Sequence, residues 1–303
     1  MKRILLCLGL IGMLLLAGCG GEEAQEPHGE PEIRVYFHEE NTVRQMPLES
    51  YLEGVVAGEM KNDWPIEALK AQAIVARTYT LAKMAEGELT EHSADASTDI
   101  REFQAYRADA VNDAVKQAVQ MTRGQVLEYE GAPILAWFHA SAGGKTATAA
   151  EGLGYTLTPT PYIQPVMSPD EDAPEDVQRW EVTFTQDEMT SALASLGHNV
   201  EKVSSVMITA FGPSGRTVNL LINGSINLSG PQLRLALGST ELKSMMLEDI
   251  SVSERSITFR GRGYGHGVGM SQWGAHHMAN AGFAAENIVL HYYPGAVLNK
   301  RWE

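Results

Sequence analysis

Glu59 ends an apolar stripe. In the stretch LESYLEGVVAGEM, Leu52, Val56 and Glu59 stand at i, i+4 and i+7, so a helix puts them on one face. A carboxyl at the end of such a face loses hydration when it ionises, which raises its pKa and makes it a proton donor near neutral pH. The other reading of the same residue is a carboxylate held by the backbone or by an arginine as a structural anchor. Glu53, six residues earlier, points about a third of a turn away and can stay in water. Further on, Lys70 and Arg77 are seven residues apart and share one side of a helix. Two cations so placed suit an acidic or acetamido sugar, or else a solvated face.

Other residues invite chemistry on weaker grounds. GRGYGHGVGMSQWGA (261–275) holds glycines at alternate positions around His266, but no start within it satisfies G-x-G-x-x-G and no Lys-Ser/Thr follows, so a phosphate loop is excluded. The spacing suggests backbone folded closely against something else. His266, Ser271 and Gln272 are placed to bind a polar ligand, or His266 is a structural hydrogen-bonding residue. His139, Ser141, His266 and Ser271 raise a Ser–His hydrolase, yet neither serine sits in G-x-S-x-G and no acidic partner is suggested by spacing. His276 and His277 are adjacent and diverge by about 100° on a helix, which does not favour a shared metal.

The elements that must position these residues follow from pattern. Leu48–Ala85 reads as two helices broken at Trp64-Pro65, with Asp63 as a cap of the second and Pro65 in its first turn. The second helix is rich in alanine (Ala68, Ala71, Ala73, Ala76, Ala82), which lets another element pack very close. A strand is expected over Ile33–His38, with a return strand near Thr42–Met46. Helical periodicity covers Asp109–Met121, and Gln125–Tyr129 with Ala132–Phe138 reads as a hairpin across Glu130-Gly131. Residues 152–176 carry five prolines and read as a functional loop or insertion. Beyond it come a strand at Trp180–Phe184, a helix opened by a Thr185/Glu188 capping box, paired strands at Val203–Phe211 and Thr217–Ile222, a strand at Ser256–Arg260, and helices ending at Ala281 and His291. This is an α+β pattern of mixed helices and antiparallel strands.

The chain has 303 residues and a formal net charge of −15, or −17 once residues 1–18 with Lys2 and Arg3 are removed. Such a balance argues against nucleic acid as a partner. Residues 1–18 have a basic start and an apolar run too short for a comfortable span, so they read as an export signal. Leu16-Ala17-Gly18-Cys19 resembles a bacterial lipobox, which makes Cys19 the lipidated mature N-terminus. Cys19 is then the last cysteine left, and neither an intrachain disulfide nor a cysteine-based metal site is possible. Residues 19–31 read as a flexible tether and 32–303 as the folded domain.

VVAGEM, LKAQAIVARTYTL, FQAY, FHASAGG and GRGYGHGVGMSQWGA, in this order between about Ile33 and Pro294, resemble the sporulation stage II protein D family, also called the SpoIID/LytB domain. The resemblance implies a cell-wall protein whose best-known type is a lytic transglycosylase acting on peptidoglycan glycan strands during engulfment of the forespore. It implies a groove carrying one catalytic glutamate, mapped onto Glu59. Lys70, Gln72, Arg77, Tyr106, His139, Ser141, His266, Ser271 and Gln272 are carried over as substrate-binding candidates. Some members hold zinc just before the Gln-x-Tyr. Here HSADASTDIREFQAY keeps His92 but has Ser97, Glu102 and Phe103, so the chain is read as metal-free and no cofactor is expected. A lipobox in place of a transmembrane anchor implies a lipoprotein on the outer face of the bacterial cytoplasmic membrane, facing the wall. The family also includes proteins described as amidase modifiers, so a non-catalytic glycan-binding enhancer of a cell-wall amidase is the rival function. A purely structural lipoprotein bridging membrane and wall is a third.

Overall fold

The computed structural model describes residues 29–87 and 91–303; Cys19, the expected signal peptide and most of the expected tether lie outside the described residues. The docked chain begins before residue 32. Glu30 accepts from the Glu49 amide at 2.9 Å and pairs with Arg123, and Pro31 accepts from the Leu48 amide.

The fold is α+β, with helices and mainly antiparallel strands in several small sheets. Its centre is helix α2 (Ile66–Glu86), which packs against α1 (Leu48–Glu59), α3 (Asp113–Met121), the strand Gln125–Tyr129, and the helices Gln272–Asn280 and Ala285–Tyr292. Neighbours on so many sides require small residues all round, and Ala68, Ala71, Ala73, Ala76 and Ala82 are all buried. Asp63 does not cap α2. Pro65 holds the N-cap position with no side-chain bond, and its carbonyl accepts from the Ala68 and Leu69 amides.

Strand β1 (Glu32–Phe37) pairs antiparallel with β2 (Thr42–Pro47). The turn between them lacks glycine, and Asn41 takes the positive φ of 52° instead. The hairpin across Glu130-Gly131 forms, but its second strand is only Ala132–Pro133. Two tight turns, Ala136 N–H to Ile134 O and Trp137 N–H to Leu135 O, swing the chain away. Phe138–His139 then pairs in parallel with Met270–Ser271, joining two segments distant in sequence.

Residues 180–259 build a second core around Trp180, Met189, Leu193, Leu220, Ile222, Leu233, Ile257 and Phe259. One sheet orders Leu247–Val252, Ser256–Gly261 and Trp180–Thr185; another orders Ile226–Ser229, Thr217–Ile222 and Val206–Phe211. The capping box of Thr185 and Glu188 is present. The proline-rich stretch before this core remains largely irregular, and its Tyr162 and Ile163 pack into the first core with α1 and α2.

Arg77 on α2 fastens α1. Its Nε and Nη2 donate to Glu49 at 3.0 and 2.6 Å, and Glu49 also accepts from Gly124 N and Trp302 Nε1. Both side chains are buried. Arg77→Met leaves the Glu49 carboxylate uncompensated, and we expect it to cost about 3–5 kcal/mol in chemical denaturation. Arg107→Ala, which removes an exposed pair with Asp109, should leave the midpoint unmoved.

Candidate active site

Glu59 is the last residue of α1, where exposed helix carbonyls disfavour a nearby negative charge. Two glycines one turn apart on the same helix bring a second strand of chain to it. A Cβ on Gly58 would lie 2.8 Å from the carbonyl carbon of Ala105, and one on Gly54 would lie 2.2 Å from the ring of Tyr106. The slot they leave admits residues 105–106, and the Ala105 amide donates to Glu59 Oε1 at 2.7 Å. Tyr106 stacks on Tyr51 with ring centroids 5.7 Å apart, and the Arg107 amide donates to Gly54 O.

A third segment arrives from the far end of the sequence. Gln272, the first residue of its helix, donates from Nε2 to Glu59 O at 3.1 Å. Its position depends on Asp170, a buried carboxylate that accepts from Ser271 Oγ at 2.7 Å, Ser168 Oγ at 2.8 Å and Ser141 Oγ at 3.1 Å. Ser271 also caps the helix by accepting from the Gly274 amide.

Desolvation pushes the partly buried Glu59 carboxyl up to about 7, while hydrogen bonds from Ala105 and Gln272 pull the other way. The Glu59 charge adds to the burial that drives the Tyr51 phenol well above its ordinary value. Tyr51 Oη, Gln72 Nε2 and Gln104 Oε1 are buried without a hydrogen-bond partner among the described residues. The arrangement is that of a carboxyl that gains and loses its proton near neutral pH.

The other expected site residues divide. Gln272 touches Glu59, and Gln72 is buried with its Oε1 3.5 Å from Gln272 Nε2, one layer back. Tyr106 lies over Gly54, partly exposed. Lys70 pairs with Glu67 at 2.8 Å. Arg77 is not a sugar ligand and not a solvated cation: it is fully buried, and its guanidinium bonds Glu49 and the carbonyls of Ala73 and Gln125. Ser141 and Ser271 are likewise buried donors to Asp170, which accounts for their hydroxyls without a nucleophilic role. His139 and His266 pack on each other, with centroids 5.5 Å apart. Burial holds His139 well below its usual range, and burial with Arg234 and Arg216 pulls His266 down to about 3. His276 and His277, expected to diverge, both approach Asp172 Oδ2, at 3.2 and 3.3 Å. His92 stacks on Tyr36 and lies 3.1 Å from Glu102.

Sequence reasoning missed Asp170, the slot made by Gly54 and Gly58, and an aromatic cluster. Trp64 and Trp273 lie 4.5 Å apart at 55°, His276 packs on both, and Lys61 Nζ lies over the Trp273 ring at 5.4 Å. A cleft of about 480 Å³ bounded by Met167, Pro169, Met278, Phe283 and His291 lies farther along the Gln272–Asn280 helix, and its wall does not include Glu59.

The profile of the stage II sporulation protein family matches residues 36–129, which contain α1, α2, Glu59 and the 105–106 segment. A second profile, described as a domain of unknown function (DUF8618), matches residues 155–269. The stage II sporulation protein D of Bacillus amyloliquefaciens is 33% identical over 92% of this chain and 82% of its own length. That of Bacillus subtilis strain 168 is 33% identical over 88% of this chain and 79% of its own length. An amidase enhancer of the same strain is 29% identical over 82% of this chain but 40% of its own length.

The raised Glu59 pKa has a stability consequence of definite sign. A carboxyl harder to ionise in the fold than in the unfolded chain costs stability as pH climbs from 4.5 to about 7, and costs it in full above that. Glu59→Gln avoids this cost and keeps an acceptor for the Ala105 amide. The variant should therefore be more stable than the parent by about 1–3 kcal/mol at pH 8, with the gap closing by pH 4 in urea titrations.

Proposed function

This chain belongs to the stage II sporulation protein D family, and on that premise we propose that it is a lytic transglycosylase that cleaves peptidoglycan glycan strands in cell-wall remodelling linked to sporulation. The observation that carries the proposal is Glu59: a desolvated carboxyl poised at about 7, at the position to which the family resemblance maps the essential glutamate.

In the first step the Glu59 O–H gives its proton to the glycosidic oxygen, and the bond from that oxygen to C1 of N-acetylmuramic acid breaks. The ring oxygen or the acetamido group supplies electron density to the oxocarbenium-like carbon. In the second step the Glu59 carboxylate takes the proton of the sugar's own C6 hydroxyl as O6 bonds to C1. The products are a free 4-hydroxyl and a 1,6-anhydro-muramyl end. Water is not consumed, and the carboxyl returns to its starting protonation. One carboxyl suffices, whereas ordinary glycosidases place two across the bond. The groups that act on Glu59 are an amide N–H and a glutamine, in keeping with this economy.

The second reading is a non-catalytic, glycan-binding enhancer of a cell-wall amidase, favoured by the likeness to a protein named amidase enhancer. Turnover separates the two. With the lipobox at Leu16–Cys19 the enzyme would act from the outer face of the cytoplasmic membrane.

Incubated with purified glycan strands, the protein should release fragments with 1,6-anhydro-muramyl ends by mass spectrometry, and the rate should fall as pH rises through about 7, where Glu59 loses its proton. Glu59→Gln should lower the rate by at least about 10²-fold. Glu53→Gln, on another face of α1, should change it little. Reducing muramyl ends would mean hydrolysis, and stimulation of an amidase by Glu59→Gln as well as by the parent, without cleavage, would establish the enhancer.

Anchoring has its own test. Cys19→Ala should abolish incorporation of a labelled fatty acid and release the protein from membranes, since stable attachment takes more than one acyl chain. Retention and labelling equal to the parent would refute the lipoprotein assignment.

A further inference from the structure

Trp273 is a large aromatic residue only partly covered by the fold. Trp64 rests on the first core, whereas Trp273 stands over it, braced by Trp64 at 4.5 Å and by His276 at 5.3 Å. The exposed Lys61 lies over its ring face at 5.4 Å, so what covers that face is the end of a flexible side chain that can move into solvent. Bracing on two sides fixes the ring plane without burying it. Such fixing costs side-chain entropy and leaves apolar surface in water, and a ligand that covers the ring offsets both.

The cluster also has a definite address. Trp273 follows Gln272, whose amide holds the Glu59 carbonyl at 3.1 Å, and its own N–H is tied to Ala140 O at 3.0 Å. Lys61 and Trp64 lie two and five residues after Glu59, in the connection that leaves α1. Both sides of the cluster are therefore anchored to the residue that would donate the proton.

We infer that Trp273, backed by Trp64 and His276, is a sugar-stacking subsite for an N-acetylhexosamine ring of the glycan strand, next to Glu59; the inference rests on the glycan reading of the site. The chemistry of the ligand follows from the ring. An indole face carries a negative quadrupole, and one face of a pyranose presents axial C–H groups of weakly positive character and little polarity. The ring edge keeps its hydroxyl and acetamido groups outward, where the Lys61 ammonium donates to them. Lys61 has no carboxylate partner among the described residues, and of the acidic groups nearby, Asp172 is engaged by His276 and His277 while Asp63 is exposed. The subsite fixes the strand relative to Glu59. It is a binding and positioning element and takes no part in proton transfer.

The test uses the full-length protein carrying Glu59→Gln, so that binding is read without cleavage, and soluble glycan strands of alternating N-acetylglucosamine and N-acetylmuramic acid. Binding should quench or shift tryptophan fluorescence saturably and register in calorimetry. Adding Trp273→Ala should weaken binding at least tenfold, Trp273→Phe less than threefold, and Trp64→Ala several-fold. In the protein with Glu59 intact, Trp273→Ala should raise KM at least tenfold with a smaller effect on kcat. Lys61→Met, an exposed change that cannot disturb the core, should weaken binding two- to fivefold, and it keeps the test decisive if Trp273→Ala unfolds. Parent-like binding by folded Trp273→Ala, by Lys61→Met if the former does not fold, or absence of glycan binding by the Glu59→Gln protein, overturns the subsite. If the Trp273 and Lys61 variants lose binding but the unmodified protein never cleaves glycan, the subsite stands and the transglycosylase reading falls.

Discussion

The buried pair of Arg77 and Glu49 fixes α1 against α2, and the site hangs from that contact. Glu49 and Glu59 occupy opposite ends of the same helix. At its N-terminal end Glu49 meets a guanidinium, a backbone amide and an indole N–H, every one a donor. At the C-terminal end Glu59 meets one amide N–H and a glutamine, and burial outweighs them. The helix direction works in the same sense, since its N-terminus favours an anion and its C-terminus opposes one. One helix thus carries at one end a carboxyl ringed by donors and at the other a desolvated carboxyl whose pKa is raised to about 7.

The neighbours that surround Glu59 come from remote parts of the chain. Glycines at 54 and 58 admit the 105–106 backbone from one side. The Asp170 network admits Gln272 from the other. Three serine hydroxyls and the Gly144 amide converge on Asp170, and Ser168 also meets Tyr292 at 2.8 Å. A buried carboxylate so fully bonded acts as a rigid node, because releasing any donor leaves both it and the donor unsatisfied.

Periodicity made Glu59 legible, because a carboxyl on an apolar stripe is an anomaly visible along one helix. The alternating strands and the Thr185/Glu188 cap were legible for the same reason: each is a local rule. Arg77 was misjudged because helical spacing says which residues share a face and not what that face meets. Its partner Glu49 is 28 residues away, and a buried arginine and a solvated one look alike in sequence. Ser141 and Ser271 were visible as hydrolase or ligand-binding candidates and not as donors to a buried carboxylate. Their common partner sits in the proline-rich stretch, where no periodicity marks Asp170. The two cores were hidden too, since hydrophobic spacing looks the same on either side of a boundary that the chain crosses without a linker.

The glycine-rich run shows how a motif's physics can be legible while its partner is not. Its spacing called for backbone lying closely against something, and that something is the protein itself. A Cβ on Gly267 would stand 2.3 Å from the guanidinium carbon of Arg216, which reaches out of the second core. Arg216 donates to Ala142 O at 2.6 Å and Lys145 O at 2.7 Å, which flank the Gly143-Gly144 pair. Burial lowers its pKa to about 10, which leaves it charged, and that charge helps keep His139 and His266 neutral. A neutral histidine can accept where an imidazolium cannot, and His266 Nδ1 accepts the Val268 amide at 3.0 Å while His139 Nδ1 donates to Val268 O at 3.1 Å. The run therefore receives a cation from the neighbouring core and the uncharged imidazole of His139, beside its own neutral His266. Met270–Ser271 follows directly, so the same contact that joins the two cores also leads the chain to Gln272 and Glu59.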